Sequence, residues 1–149
     1  MVELHVERTI AASPERVFEW LVDPVHLTSA PLIFKAGYVT DVTAGAGAVR
    51  EAIAAGMWLR EEITAYDAPR SYSYRIVRSF PTFDHDAGTL ICTPCERGTH
   101  VDWSTLYTHP IYVGGKALEA VTGRMVRKTF SAILAACAEA VEPAGDGAG

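Results

Sequence analysis

Thr89-Leu90-Ile91-Cys92-Thr93-Pro94-Cys95-Glu96-Arg97-Gly98-Thr99-His100-Val101-Asp102-Trp103-Ser104-Thr105-Leu106-Tyr107 is the stretch that decides the fold class. Two runs rich in β-formers flank Arg97-Gly98, a dipeptide suited to a two-residue hairpin turn. Such a turn pairs Glu96 with Thr99, Cys92 with Trp103 and Leu90 with Thr105. Because strand side chains alternate, Leu90, Cys92, Val101, Trp103 and Tyr107 then share one face.

Downstream, after His109-Pro110, the apolar period becomes helical. Leu118, Val121, Met125, Thr129 and Ala132 form one stripe, and Val126, Phe130, Ile133, Cys137 and Val141 form a neighbouring one. This predicts a long amphipathic helix. Glycines at 114, 115 and 123 weaken its first half, which is the better candidate for a movable lid, whereas Phe130 to Ala140 is rich in helix formers. Residues 143–149 have nothing to bury and are expected to form a disordered tail after a domain spanning 1–142.

Upstream, Ile33 to Val42, Ala46 to Ala54, Met57 to Tyr66 and Ser71 to Arg78 are further short β-rich segments, with Thr89 to Pro94 and Thr99 to Tyr107 completing six. A four-residue connection at Asp67-Ala68-Pro69-Arg70 pairs Ala65 with Tyr72, Ile63 with Tyr74 and Glu61 with Ile76. At the start of the chain, Glu3 to Ile10 alternates loosely. It precedes Ser13-Pro14-Glu15, a cap, a first-turn proline and a dipole-complementing acid that open a helix to about Leu21. Asp23-Pro24 stops that helix and starts a second short one through His26 and Leu27.

The chain has 149 residues, 49% hydrophobic and 21% charged, the composition of one ordinary globular domain. A formal net charge of −5 lacks the basic face that phosphate backbones require, so nucleic acid is not an expected partner. Neither a signal-peptide pattern nor an apolar stretch of membrane-spanning length is visible, so a cytoplasmic location is expected. No cofactor or metal is expected either.

The order of strand, two short helices, six strands and long helix resembles the START-like (SRPBCC) superfamily. That superfamily takes in polyketide cyclases/dehydrases, lipid-transfer domains and the birch-pollen-allergen group. Matching segments are Ala12-Ser13-Pro14-Glu15-Arg16-Val17-Phe18, Gly47-Ala48-Val49-Arg50, Glu61-Glu62-Ile63 followed by Asp67, Tyr74-Arg75-Ile76, and Gly98-Thr99-His100-Val101-Asp102-Trp103. The resemblance covers the whole chain except the tail. It implies an α+β helix-grip fold, with a curved seven-stranded antiparallel sheet around the C-terminal helix, and a cavity for an apolar ligand between the two. It does not imply one reaction, because this architecture hosts binders, carriers and enzymes.

Several residues are candidates for that cavity. If the Ala55-Gly56 turn is two residues long, Arg50 faces Glu61 on the side that holds Ile63, Ala65, Tyr72 and Tyr74, as an internal ion pair. A slip by one residue instead turns Val49 and Ile53 inward, and the residues themselves leave both registers open. Tyr72, Tyr74, Trp103 and Tyr107 present apolar rings with polar tips suited to a flat ligand, against the plainer reading that they fill the core. Leu118, Val121 and Met125 are the helix contribution to the lining. Phe80-Pro81-Thr82-Phe83 either closes over the cavity mouth or packs as an ordinary loop.

Other motifs read as structural. Cys92-Thr93-Pro94-Cys95 has dithiol spacing, but residues three apart on a strand face opposite sides, so Cys92 reads as a small core residue and the three cysteines as free thiols. Asp84-His85-Asp86 reads as a solvated loop rather than a metal site. His109 is a candidate general base or a plain strand-to-helix cap.

The function expected is binding, with or without transport, of a hydrophobic or amphipathic small molecule such as a lipid or polyketide. The alternative is a polyketide cyclase, aromatase or dehydratase using the same cavity, with Glu61 or His109 moving protons and Arg50 or a tyrosine polarising a carbonyl. A third reading is a homodimer or interaction module using an outer patch of Val49, Ile53 and Trp58.

Overall fold

The computed structural model describes residues 1–31, 33–39, 41, 45–54, 57–80 and 82–143, without the side chain of Val113. The Ala55-Gly56 turn, Val42, Pro81 and the tail beyond Pro143 lie outside the described residues.

Strand β1 (Val2–Ile10) buries Leu4, Val6 and Ile10. Helix α1 (Pro14–Val22) begins where the Ser13 Oγ accepts from the backbone N–H of Arg16 at 3.4 Å, with Pro14 in the first turn. Its apolar face buries Val17, Phe18, Leu21 and Val22. Asp23 ends α1 and caps the next element, accepting from Val25 N–H at 3.1 Å, so that the chain passes into a 3-10 helix at Pro24–Ser29. Strands β2 (Ile33–Tyr38), β3 (Val49–Ala54), β4 (Met57–Asp67), β5 (Ser71–Phe80), β6 (Asp84–Cys95) and β7 (Gly98–Thr108) follow. After a 3-10 turn at Ile111–Val113, helix α2 (Gly115–Val141) completes the chain.

All seven strands form one antiparallel sheet in the order β1-β7-β6-β5-β4-β3-β2, curled around α2, which is the helix-grip fold. The core lies at one end, where Val17, Phe18 and Leu21 of α1 meet Leu90, Cys92 and Val101 of the sheet and Ile133, Leu134 and Cys137 of α2. The other end of the concave face is left less filled, and that is where the cavity forms. No helix among the described residues is long and apolar enough to cross a membrane.

The observed registers correct three sequence expectations. The β6–β7 turn uses Glu96-Arg97, so that Cys95 faces Gly98, Cys92 faces Val101 and Leu90 faces Trp103. Gly98 is therefore a strand residue at φ +131°, where a side chain would meet Ile10 O at 2.5 Å and Ala12 N at 2.7 Å. The shift is by two positions, which preserves parity, so the expected inward set of Leu90, Cys92, Val101, Trp103 and Tyr107 is buried.

Between β4 and β5 the expected pairs Ile63–Tyr74 and Glu61–Ile76 form, but a bulge between Ile63 and Ala65 places Ala65 opposite Ser73 instead of Tyr72. Ala65 is consequently exposed. Third, Asp84-His85-Asp86 is strand rather than loop, because β6 pairs with β7 from Asp84 onward and buries His85.

Candidate functional site

A cavity of about 340 Å³ lies between the concave face of the sheet and α2. Its sheet wall follows from the period-two alternation of the strands. Arg50 and Ala52 come from β3, Leu59 and Glu61 from β4, Tyr74 and Ile76 from β5, and Trp103, Thr105 and Tyr107 from β7. The helix wall comes from Leu118, Thr122, Met125, Val126, Thr129, Phe130 and Ile133 of α2. Trp103 stacks on Phe130 with ring centroids 3.8 Å apart, tying sheet to helix where cavity gives way to core.

Among the described residues, one ion pair sits within this apolar enclosure. Arg50 lies directly opposite Glu61 in the β3–β4 register, and its Nη2 donates to Glu61 Oε2 at 3.1 Å. Arg50 is only 2% exposed. Its guanidinium lies 5.3 Å from the centroid of the Tyr72 ring and 5.5 Å from that of Tyr74, while Nε and Nη1 have no hydrogen-bond partner among the described residues. Burial works against the charge, but the Glu61 carboxylate and the Tyr72 and Tyr74 hydroxyls outweigh it and hold the group above its ordinary range.

Tyr74 is fixed on several sides. Trp103 Nε1–H donates to its hydroxyl at 2.9 Å, and His85 stacks on its ring at 5.6 Å. Opposite the ring, on β6, stands Gly88; a side chain there would overlap the ring and come within 2.6 Å of the hydroxyl oxygen. Burial, with the charge of Glu61 nearby, pushes the Tyr74 hydroxyl well up, so it stays protonated.

His85 accepts from Ile76 N–H at Nδ1 (3.0 Å), which makes Nε2 the donor to Thr105 Oγ1 (2.9 Å). Burial lowers its pKa to about 4, leaving it neutral at pH 7. At the helix side, Tyr107 OH and His109 Nε2 both meet Thr122 Oγ1 at 2.9 Å. Glu119 Oε2 accepts from the backbone N–H of His109 at 2.8 Å, so α2 holds the end of β7. Burial lowers the pKa of His109 also, and its Nδ1 has no partner among the described residues. Phe83 packs against His85, Tyr107 and His109 and lines the cavity, whereas Phe80 is exposed.

Of the residues the sequence nominated, Arg50, Glu61, Tyr74, Trp103, Tyr107, Leu118, Met125 and His109 line the cavity together. Two do not. Tyr72 is fully buried behind the lining, edge-on to Phe18 at 5.8 Å, so it is core and a support for Arg50. Val121 is 55% exposed; Thr122 takes the inward position, because its hydroxyl is bonded to Tyr107 and His109. A helical stripe chosen by hydrophobicity passes over a threonine. Sequence reading also missed His85, Gly88, Thr105 and Glu119, whose roles depend on cross-strand or helix–strand partners.

Cys92 and Cys137 are buried free thiols, each pushed up to about 12 by burial, and Cys95 is free and exposed on the other face. On the outer face of β1 and β7, His5, Glu7 and Asp102 bring one ligand atom each within 4.8 Å of one another. These groups pair with one another and with His100, His5 Nε2 with Asp102 Oδ1 at 2.8 Å being the shortest contact. The proposed outer patch is partly covered: Trp58 Nε1–H donates to Glu51, and Arg60 lies over its ring.

The sequence profile of a family described as polyketide cyclase / dehydrase and lipid transport matches residues 1–142. No curated protein matches the chain. Among solved structures, TTHA0849 from Thermus thermophilus is 24% identical, with 93% of this chain and 95% of that one covered and a TM-score of 0.75. Ginseng major latex-like protein 151 from Panax ginseng is 17% identical over 95% and 98% of the two chains, with a TM-score of 0.73. Ara h 8.0201 is 16% identical over 91% and 97%, with a TM-score of 0.68. At these identities the likeness speaks to the fold alone.

Proposed function

The chain belongs to the polyketide cyclase / dehydrase and lipid transport family, and on that premise we propose that residues 1–142 form a domain that binds a hydrophobic or amphipathic small molecule, such as a lipid or polyketide, in the cavity. The observation that carries this reading is the void itself. Protein interiors pack as densely as organic crystals, so about 340 Å³ left open beneath a helix runs against ordinary core packing. It falls within the range of small-molecule sites. The walls match as well: Leu59, Ile76, Trp103 and Phe130 offer apolar surface, while Glu61 and Tyr74 offer the few polar atoms that orient a ligand.

Saturable, one-to-one binding of an apolar fluorescent probe is the expected result, together with its displacement by lipid-like competitors. Bulky substitution at Ala52, in the sheet wall, should weaken it by filling the void. A protein that takes up no probe, or binds it equally well after Ala52→Phe, would remove this reading.

A second reading, catalysis in the same cavity, is favoured by His109. Its imidazole is held neutral by burial in the cavity wall, and its Nε2 is engaged by Thr122. A neutral imidazole beside a bound polyketide-like chain suits proton abstraction next to a carbonyl, with Tyr74 O–H as the polarising donor. Turnover of such a substrate, lost in His109→Ala with binding retained, is the outcome that separates an enzyme from a carrier.

A further inference from the structure

Resting on the cavity's being a ligand site, we infer that it selects an apolar molecule bearing a neutral hydroxyl, an alcohol or a phenol, over the corresponding ether or carboxylic acid. The selecting groups are Glu61 and Tyr74.

Arg50 is the sole Lys or Arg among the described lining residues, yet its charge is not offered to a ligand. Its Nη2 is spent on Glu61, and Nε and Nη1 are buried beside the rings of Tyr72 and Tyr74. The pair is neutral in sum, and a ligand carboxylate approaching it meets the Glu61 carboxylate as a like charge. Replacing water around such an anion would need donors that reach it, and the unpartnered Nε and Nη1 of Arg50 are buried beneath the cavity surface.

Apart from these buried Arg50 donors, what Glu61 and Tyr74 offer a ligand is one acceptor and one donor. Glu61 uses Oε2 for Arg50, and its Oε1 has no hydrogen bond among the described residues. The Tyr74 hydroxyl accepts from Trp103, which leaves its own O–H without an acceptor among the described residues. In the β4–β5 register Ile63 faces Tyr74 and Glu61 faces Ile76, so Glu61 and Tyr74 are diagonal neighbours on one face, and both line the cavity. A hydroxyl is both donor and acceptor. It can donate to Glu61 Oε1 while accepting from Tyr74, whereas an ether or ketone satisfies only the tyrosine and leaves the carboxylate oxygen unmet. The walls around these atoms, including Leu59, Ile76 and Trp103, accept the apolar skeleton.

The test is a calorimetric titration of the full chain at neutral pH with 2-naphthol, 2-methoxynaphthalene and 2-naphthoic acid, which share a skeleton and differ in this one group. We expect 2-naphthol to bind on the order of tenfold or more tighter than the ether, as a hydrogen bond to a charged acceptor implies. The ionised acid should bind most weakly. In the double variant Arg50→Met/Glu61→Met, checked for native circular dichroism, 2-naphthol should fall to the level of the ether. Equal binding of alcohol and ether to the wild type, or preference for the acid, overturns the inference while leaving the cavity a ligand site. So does a preference for 2-naphthol that survives in the double variant. If none of the three binds, the ligand-site reading falls and the inference with it. The wild-type series decides even where the variant does not fold.

Discussion

Replacing Arg50 by alanine would leave the Glu61 carboxylate buried without its partner, an arrangement that costs about 3–5 kcal/mol when one member of an internal pair is removed. Replacing both residues by methionine restores a filled, uncharged floor, so Arg50→Met/Glu61→Met should lie within about 1–2 kcal/mol of the wild type. Urea unfolding of the three proteins checks this; a double variant no more stable than Arg50→Ala would show that the pair is not a closed unit. At the same scale, Gly88→Ala forces a methyl group into the space of the Tyr74 ring and should destabilise the fold by about 1–3 kcal/mol while weakening any probe that touches Tyr74. Unchanged stability and affinity would mean that the ring shifts freely. The site was legible in part, residue by residue: a two-residue turn at Ala55-Gly56 sets Arg50 against Glu61, but the sequence left that register and a one-residue slip both open, and only the β3–β4 pairing decides between them, the turn itself lying outside the described residues. Gly88, His85 and Thr122 were not legible, because a glycine that makes room for a ring, a histidine satisfied by a backbone N–H and a threonine turned inward by two partners have no local signature.

At the scale of elements, α2 divides at Gly123. Beyond it Ile133, Leu134, Cys137, Ala138 and Val141 are buried, whereas Val121 just before it and Met125 just after it are exposed. Gly123 lies inside the helix at ordinary φ, and a methyl group there would meet only Val2 Cγ1 at 3.7 Å, an ordinary contact. Gly123→Ala should therefore stabilise the protein by about 1 kcal/mol through helix propensity. Thermal unfolding reads this directly, and an unchanged or lower Tm would show that the first half of α2 does not share in the cooperative unit. Gly114 is different, since at φ +114° a side chain would be strained and would meet Leu118 Cβ at 2.7 Å. The long helix, the capped α1 and the alternating strands were readable because each repeats its own period. The first half of β6 was not: Asp84-His85-Asp86-Ala87-Gly88 has the composition of a loop, and only its ladder with Thr105–Thr108 of β7 makes it a strand. The bulge opposite Ser73 was hidden for the same reason, since sequence shows hairpin turns but not an extra residue in one arm.

At the scale of the molecule, β1 pairs with β7, a contact between the two ends of the fold that no local turn announces; the family resemblance implied a seven-stranded sheet but not this partner. That pairing and the grip on α2 bury His85 and His109 as neutral imidazoles, and the whole fold acquires a pH dependence from them. Burial is the main cause for His85, with Asp86 opposing it and Arg75 adding to it, and its folded pKa of about 4 lies below the 6.5 of a free imidazole. The unfolded chain therefore binds the proton first, so stability is full above about pH 6.5, declines as pH falls, and stops declining from this source below about 4. The loss attributable to His85 is on the order of 3 kcal/mol, with His109 acting in the same direction. Carboxylates held low, such as Glu51 and Asp67, lose their contributions only at more acid pH, so the window from 6.5 to 4.5 belongs mainly to the histidines. His85→Asn keeps an acceptor for the Ile76 N–H but does not titrate. Between pH 7 and 5 its urea midpoint should fall distinctly less than that of the wild type, and parallel falls in the two proteins would show that the acid sensitivity arises elsewhere.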